Sequence, residues 1–164
     1  MIPEIKKILF ATDLSKNSAY AFYYAVHMAK RDEAKIVILH AVEPIPPMLV
    51  TFDDFVYQVA KDRWEDAGKK FRERIQDISV KVDARMGISS ADFVSNILIR
   101  LGHPVEEILK VADEEGCDVI VLGAHSKGFL KQTFLGSVSS SVLHRTQKPV
   151  FVVPLPSEDI LTSV

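Results

Sequence analysis

The sequence is organised around one segment, Val119-Ile-Val-Leu-Gly-Ala-His-Ser-Lys-Gly-Phe-Leu-Lys-Gln-Thr-Phe-Leu-Gly-Ser137. Its apolar start, which ends at Leu122, is typical of a buried β-strand. Gly123 breaks this run, and Gly136 and Ser137 begin a helical pattern. Glycines let a backbone approach a ligand closely, and a helix N-terminus favours phosphate. The segment therefore predicts a nucleotide-phosphate site at a strand end, although a tight βα loop whose glycines serve only for turning fits the spacing equally well.

The composition indicates one soluble globular domain. The chain has 164 residues, of which 48% are hydrophobic and 26% charged, which is ordinary for such a domain. A net charge of -2 disfavours nucleic-acid binding. The single cysteine, Cys117, fits a reducing compartment, and its apolar neighbours favour a buried thiol over a nucleophile. Because no signal peptide or membrane span is visible, we expect a cytoplasmic protein with one domain over residues 1–156 and a tail over 157–164.

Apolar runs and helical spacings alternate along the chain. Strands are predicted over 5–12, 35–42, 93–100, 118–122 and 148–153, and helices over 16–30, 54–87, from Pro104 to Gly116 and from Ser137. Residues 79–85 alternate as a strand would, but the three- and four-residue stepping continues through them and favours one long helix. The prolines of residues 43–47 predict a loop, and residues 48–55 are ambiguous. The pattern predicts an α/β fold with a five-stranded parallel sheet covered on both faces.

Ligands of such sheets bind beyond the carboxyl ends of the strands. That rule gathers Asp13, the strand end at Ala41 and the loop at Gly123 into one crevice. Asp13 is either a base or magnesium ligand, or a cap of its own loop. His125 either orients a ligand or bonds the backbone, whereas His40, inside an apolar strand, is favoured as a core histidine. No histidine has a carboxylate or cysteine at metal-ligand spacing, so the sequence predicts no intrinsic metal site.

Six segments together resemble the universal stress protein family: Lys6-Lys-Ile-Leu-Phe-Ala-Thr-Asp-Leu-Ser15, Leu39-His-Ala-Val42, Gly102-His-Pro-Val-Glu-Glu-Ile-Leu109, Asp118-Val-Ile-Val-Leu-Gly-Ala-His125, Leu135-Gly-Ser-Val138 and Lys148-Pro-Val-Phe-Val-Val153. The resemblance covers nearly the whole chain. It implies a Rossmann-like, adenine nucleotide alpha hydrolase-like three-layer sandwich with strand order 3-2-1-4-5. It also implies a homodimer through the last strand, formed by Val150, Phe151, Val152 and Val153, and an apolar edge strand bounded by prolines agrees with this.

Many members of that family bind ATP through the pattern G-x2-G-x9-G-[ST]. Gly123, Gly136 and Ser137 match it, while Ser126 replaces the middle glycine. If that position needs positive φ, serine strains it by about 1 kcal/mol or more; if it needs only a small residue, serine serves. The resemblance implies an ATP site, with Mg²⁺ reaching Asp13 through the nucleotide, that is formed by Thr12, Asp13, Ala41, Leu122, Gly123, His125, Ser126, Gly128, Gly136, Ser137 and Val138.

Two functions therefore stay open at the level of sequence. In the first, the protein is a stress-response regulator that binds ATP or another adenine nucleotide and at most hydrolyses it slowly or phosphorylates itself. In the second, the same fold binds no nucleotide and serves as a dimeric protein-interaction or chaperone-like module, an alternative that Ser126 favours. A P-loop NTPase is disfavoured because Phe129 and Leu130 stand where Lys and Ser or Thr are required. An enzyme using Asp13 and His125 is the weakest hypothesis, since no nucleophile, base and orienting group can be assembled.

Overall fold

The structure is a computed structural model that describes residues 2–15, 18–44, 54–124 and 135–154. The predictions for the loop after the second strand, for the central part of the glycine segment and for the C-terminal tail lie outside these residues.

Strands and helices alternate along the described residues. They are β1 (Lys7–Ala11), α1 (Ser18–Asp32), β2 (Lys35–Val42), α2 (Asp54–Met86), β3 (Val94–Leu101), α3 (Pro104–Glu114), β4 (Val119–Gly123), α4 (Ser137–Arg145) and β5 (Val150–Val153). A short 3-10 turn precedes β3 at Ser90–Asp92. All neighbouring strands are parallel, and their order is β3-β2-β1-β4-β5. The predicted α/β class, parallel sheet and strand order are confirmed.

The sheet separates two layers of helices, because alternate side chains of each buried strand point to opposite faces. On one face Phe10 and Ile38 pack in a cluster with α1 and α2. On the other face Leu9 and Leu39 pack with α3 and α4. These strands are apolar on both faces, as expected for a parallel sheet that is covered on both sides. The result is the three-layer sandwich that the sequence predicts.

Helix α2 continues without a break to Met86, so the strand considered for residues 79–85 does not form. Its buried side chains follow three- and four-residue spacing: Phe71, Ile75, Ile78 and Val82. Val80, which a strand would place on the same face as Val82, is 57% exposed. The helical period therefore buries one continuous apolar stripe, and this outweighs the short alternation.

Helix α3 has the boundaries that its sequence predicts. Pro104 occupies the first helical turn, where its missing N–H is not needed. Gly116 follows the helix with φ +62°, a conformation that glycine adopts without a steric penalty. The next residue, Cys117, is buried, and burial raises the pKa of its thiol to about 11. The thiol is therefore protonated at neutral pH, which agrees with the prediction of an unreactive buried cysteine.

The carboxylate of Asp118 joins the start of β1 to the start of β4. Its Oδ2 accepts the backbone N–H groups of Lys6 and Lys7, both at 2.8 Å. Asp118→Ala leaves both donors without this acceptor, so we expect the free energy of unfolding to fall by about 1–3 kcal/mol. Urea denaturation measures this change. Asp113→Ala removes a carboxylate whose side chain is 80% exposed and should change stability by less than about 1 kcal/mol. Equal stability of the two variants would contradict the assigned role of Asp118.

Candidate functional site

A crevice opens at the carboxyl ends of β1, β2 and β4, where the chain leaves β1 toward one face of the sheet and β4 toward the other. This is the position at which open α/β sheets bind ligands. Its empty space is about 820 Å³, counting the part that is open to solvent. Its lining residues are Phe10, Ala11, Thr12, Asp13, Ser15, Ser18, Ala21, Leu39, His40, Ala41, Pro104, Ile108, Leu122, Gly123, Gly136, Ser137, Val138 and Ser139.

The inner wall of the crevice is apolar. Leu39 and Leu122 are contributed by β2 and β4, and Ile108 by α3, and all three are buried in the same hydrophobic cluster. Hydroxyl groups and backbone polar groups lie nearer the strand ends. A pocket with one apolar wall and a few polar groups suits a flat, partly apolar ligand with a polar tail.

The turn between β1 and α1 is held by its own side chains. Asp13 Oδ1 accepts the N–H of Ser15 at 2.9 Å, so the carboxylate caps its loop while remaining exposed at the rim. Thr12 Oγ1 accepts the N–H of Leu14 at 3.0 Å and donates to Ser18 Oγ at 2.7 Å. Leu14 has φ +62°, a left-handed conformation that costs a non-glycine residue about 1 kcal/mol or more. These contacts fix Thr12 and Asp13 against the crevice.

The N-terminus of α4 opens on the crevice opposite this turn. Gly136 caps the helix without a side-chain hydrogen bond, and the first turn contains no acidic residue. The N–H of Gly136 donates to Ala124 O at 2.6 Å, and the carbonyl of Gly136 accepts the N–H of Ser140 at 2.9 Å. Ser139 Oγ donates to Gly123 O at 2.7 Å and ties α4 to the end of β4. The first-turn N–H groups have no partner within the helix and carry its partial positive charge.

Neither of the two described glycines of the pattern has an unusual backbone conformation. Gly136 has φ −66° and ψ 164°, values that any residue adopts. Gly123 is the last residue of β4, and its φ is not positive either. Both glycines line the crevice.

The N-terminus of α3 also faces the crevice but has a different charge balance. Pro104 offers no N–H, and Glu106 and Glu107 lie in the first turn. The Arg145 guanidinium binds the Glu106 carboxylate at 2.6 and 3.1 Å and lowers the pKa of that carboxyl. This ion pair joins the first turn of α3 to the last turn of α4. Carboxylates near an N-terminus balance its positive end, so an anion is attracted more strongly by α4 than by α3.

Two findings concern metals and membranes. Within the described ranges, no group of three or more His, Cys, Asp or Glu side chains is placed to hold a metal ion. Among the helices of that part of the chain, none combines the length and apolar composition needed to cross a bilayer.

Sequence comparison finds the family to which the chain belongs. The model of the Universal stress protein family matches residues 4–154. The chain belongs to the universal stress protein family. Universal stress protein YxiE from Bacillus subtilis is 32% identical over 90% of this chain and 97% of its own length. Universal stress protein MJ0577 from Methanocaldococcus jannaschii is 27% identical over 90% of this chain and 94% of its own.

Solved structures of universal stress proteins have the same architecture. The structure of UspA from Lactobacillus plantarum matches with a TM-score of 0.69 and 25% identity, covering 93% of this chain and 99% of that one. The structure of MJ0577 matches with a TM-score of 0.68 and 26% identity, covering 95% and 100%. A universal stress protein solved in complex with cAMP has the same fold at 21% identity, with a TM-score of 0.59 over 94% of this chain and all of that one.

The structure brings together the described positions that the universal stress protein pattern implies. Those that line the crevice are Thr12, Asp13, Ala41, Leu122, Gly123, Gly136, Ser137 and Val138. The remaining three, His125, Ser126 and Gly128, lie outside the described residues. That this universal stress protein contacts a nucleotide through these residues is a prediction, and the geometry of the crevice says which residues to test.

Sequence reasoning missed several lining residues. Pro104 and Ile108 come from the start of α3, which the strand-end rule could have placed at the crevice. Ser18 is the first residue of α1 and Ser139 lies in the first turn of α4, and only their hydrogen bonds to Thr12 and Gly123 reveal their position.

His40 differs most from its sequence interpretation. Its Nδ1 lies 2.8 Å from Thr12 O, and its ring stacks on Phe71 at 5.5 Å. It is hydrogen-bonded, as expected of a core histidine, but it is only half-buried and lines the crevice.

Proposed function

We propose that this universal stress protein binds an adenine nucleotide, with ATP as the expected ligand, in the crevice between β1 and β4. The observation that carries the proposal is the N-terminus of α4, which opens on a crevice with an apolar inner wall. Helix N-termini favour phosphate groups, and apolar walls favour a flat base. A universal stress protein of the same fold has been solved with cAMP, which is an adenine nucleotide.

The crevice suggests how the ligand would lie. The base would rest against the apolar inner wall formed by Leu39, Leu122 and Ile108, next to the backbone of Ala41. The phosphates would lie at Ser137 and Val138, where the N–H groups of α4 are available. The exposed carboxylate of Asp13 lies at the rim and would repel a bare triphosphate, so Mg²⁺ should strengthen binding. In this account the nucleotide is a ligand that switches the protein between states.

Isothermal titration of the wild-type protein with ATP, with and without Mg²⁺, tests this function. We expect saturable binding with a Kd below about 100 µM in the presence of Mg²⁺. AMP, which offers fewer phosphate oxygens to α4, should bind more weakly. Absence of binding at 1 mM of either nucleotide, a concentration of about ten times the expected limit, would reject the proposal. The alternative function as an interaction module without nucleotide would then be favoured.

The second part of the proposal is a homodimer formed through β5. Pro149 and Val153 direct their carbonyls to β4, where they accept the N–H groups of Ile120 and Ala124. Because backbone groups alternate sides along a strand, Val150 and Val152 direct theirs toward the free edge. The opposite edge, β3, is less suited to pairing.

A side chain blocks part of the β3 edge. Asn96 Oδ1 accepts the N–H of Ile97 at 3.0 Å, and the register with β2 shifts between Ile36 and Val37. Capped donors and irregular registers are features by which proteins discourage pairing at sheet edges. The described residues therefore favour β5 over β3 as the pairing edge.

Val152→Pro is expected to convert the dimer to a monomer. Proline removes an N–H that points to the free edge, while the bonds to β4 are made by the neighbouring residues and should persist. Light scattering coupled to size exclusion measures the mass. Val152→Thr keeps the N–H and the β-branched shape, so this control should remain dimeric. A Val152→Pro protein that stays dimeric, or a wild type that is monomeric at micromolar concentration, would contradict pairing through β5.

A further inference from the structure

His40 connects the ends of β1 and β2 through its side chain. Its Nδ1 lies 2.8 Å from the carbonyl oxygen of Thr12. A carbonyl oxygen can only accept, so Nδ1 carries the hydrogen. The ring is held in this orientation by Phe71, against which it stacks at an interplanar angle of 18°, and Phe71 is itself 1% exposed. The imidazole is therefore fixed in place as a donor to Thr12, the residue that follows β1.

The hydrogen bond from His40 to Thr12 lies where the backbone hydrogen bonds between β1 and β2 end. The register of β1 with β2 ends at Ala11 and Leu39, and the N–H of Thr12 still donates to Leu39 O at 2.9 Å. In a regular parallel ladder the carbonyl of Thr12 would next accept the N–H of Ala41. In the part of the chain that the structure describes, that carbonyl accepts the imidazole of His40 instead.

The hydrogen bond made by His40 affects the backbone N–H and C=O groups of Ala41. Backbone groups alternate sides, so Ala41 directs its N–H and C=O to the same side as Leu39, toward β1. The pairing of β1 with β2 ends before Ala41, and Ala41 is one of the residues that line the crevice. Among the backbone hydrogen bonds of the described residues neither group has a partner, so one donor and one acceptor from the same residue can face a ligand.

We infer that His40 is a positioning residue for base recognition: by holding the Thr12 carbonyl it keeps the N–H and C=O of Ala41 open to the base. This rests on the proposed function. A neighbouring donor and acceptor complement adenine, which presents a ring-nitrogen acceptor beside its amino donor. Hypoxanthine carries an oxygen acceptor in place of that amino group and would set two acceptors face to face. Adenine should therefore be preferred, and His40 should maintain the preference.

Two variants separate the hydrogen bond from the ring. His40→Phe keeps an aromatic ring against Phe71 but removes the donor. His40→Asn places an amide N–H the same number of bonds from the backbone as Nδ1 and retains the donor. Titration with ATP and with inosine triphosphate gives the ratio of their affinities for each protein. Amide hydrogen exchange at Ala41, measured by NMR without ligand, reports the backbone directly, and thermal unfolding checks that both variants fold.

The wild type should favour ATP over inosine triphosphate by about fivefold or more, and His40→Asn should retain this ratio. In His40→Phe the Thr12 carbonyl becomes free to accept the N–H of Ala41. We expect the ratio to fall to within about twofold of unity, and the Ala41 amide to exchange about tenfold more slowly than in the wild type.

Three results would overturn the inference. They are an unchanged ratio in His40→Phe, an equal loss in both variants, or a wild-type Ala41 amide already as protected as that of Thr12. Failure of the proposed function gives a different result: the wild-type protein then binds neither nucleotide. That result rejects the crevice as a nucleotide site and, with it, the preference for adenine. The ligand-free exchange at Ala41 then still decides whether His40 holds the strand ends apart.

Discussion

Gly136→Asp is expected to weaken ATP binding by at least about a hundredfold while leaving the protein as stable as the wild type. Gly136 caps α4 with φ −66° and ψ 164°, and aspartate is among the preferred residues at such a position. Its carboxylate would accept the N–H groups of the first turn, which are the groups assigned to the phosphates. It would also repel the phosphates at short distance, where two like charges 4 Å apart interact by about 4 kcal/mol near a protein surface.

The control for this substitution is Gly136→Asn, which has nearly the same shape and also caps a helix but carries no charge. Titration calorimetry should find Gly136→Asn weaker than wild type but at least about tenfold tighter than Gly136→Asp. Thermal unfolding should find both variants at or above the wild-type midpoint. Wild-type affinity in Gly136→Asp would reject the assignment of α4 to the phosphates, whereas loss of stability in both variants would reject the assignment of Gly136 as an ordinary N-cap.

Phe22→Ala is expected to lower the free energy of unfolding by about 3–5 kcal/mol, the cost of removing a buried aromatic side chain and leaving a cavity. Phe22 is fully buried in α1, and its ring centroid lies 5.2 Å from that of Phe10 in β1. This contact holds α1 on the strand whose end forms the crevice. Since the turn from Thr12 to Ser18 joins the same two elements, nucleotide binding should weaken together with stability.

Trp64→Ala provides the matched control for the loss of an aromatic side chain. Trp64 is 38% exposed on α2, outside the cluster that surrounds Phe22, so its removal should cost no more than about 1 kcal/mol. Urea denaturation of both variants gives the comparison. If Phe22→Ala lowers the free energy of unfolding no more than Trp64→Ala does, the packing of Phe22 between α1 and β1 does not stabilise the core as described.

The fold could be predicted because its signals are local and repeated. The apolar runs that became β1, β2 and β4 are buried on both faces, and such runs indicate parallel strands under two helical layers. Residues 79–85 were the one stretch with two competing periods. There the exposure of Val80 and the burial of Ile78 and Val82 follow the helical spacing, because a strand would have interrupted the stripe that begins at Phe71.

The candidate site was predictable where strand ends, or the glycine and serine at the start of α4, mark it. Asp13, Ala41 and Gly123 each follow or end an apolar run, and the rule for parallel sheets places such residues at one edge. His40 could not be placed, because its apolar neighbours say nothing about whether its side chain faces the core or the crevice. The direction of the His40 side chain depends on the distance between β1 and β2 beyond their last paired residues. This distance is set by tertiary structure and cannot be read from the neighbours of His40 in the sequence.

The most direct test of the nucleotide site is a two-dimensional NMR titration of the wild-type protein with ATP and Mg²⁺. We expect the largest chemical-shift changes at the amides of Ala41, Gly136, Ser137 and Val138, with little change along β3 and the second half of α2. Saturating shifts confined to those amides would support an adenine nucleotide between β1 and β4. No shifts at millimolar ATP, or shifts centred on another surface, would contradict it.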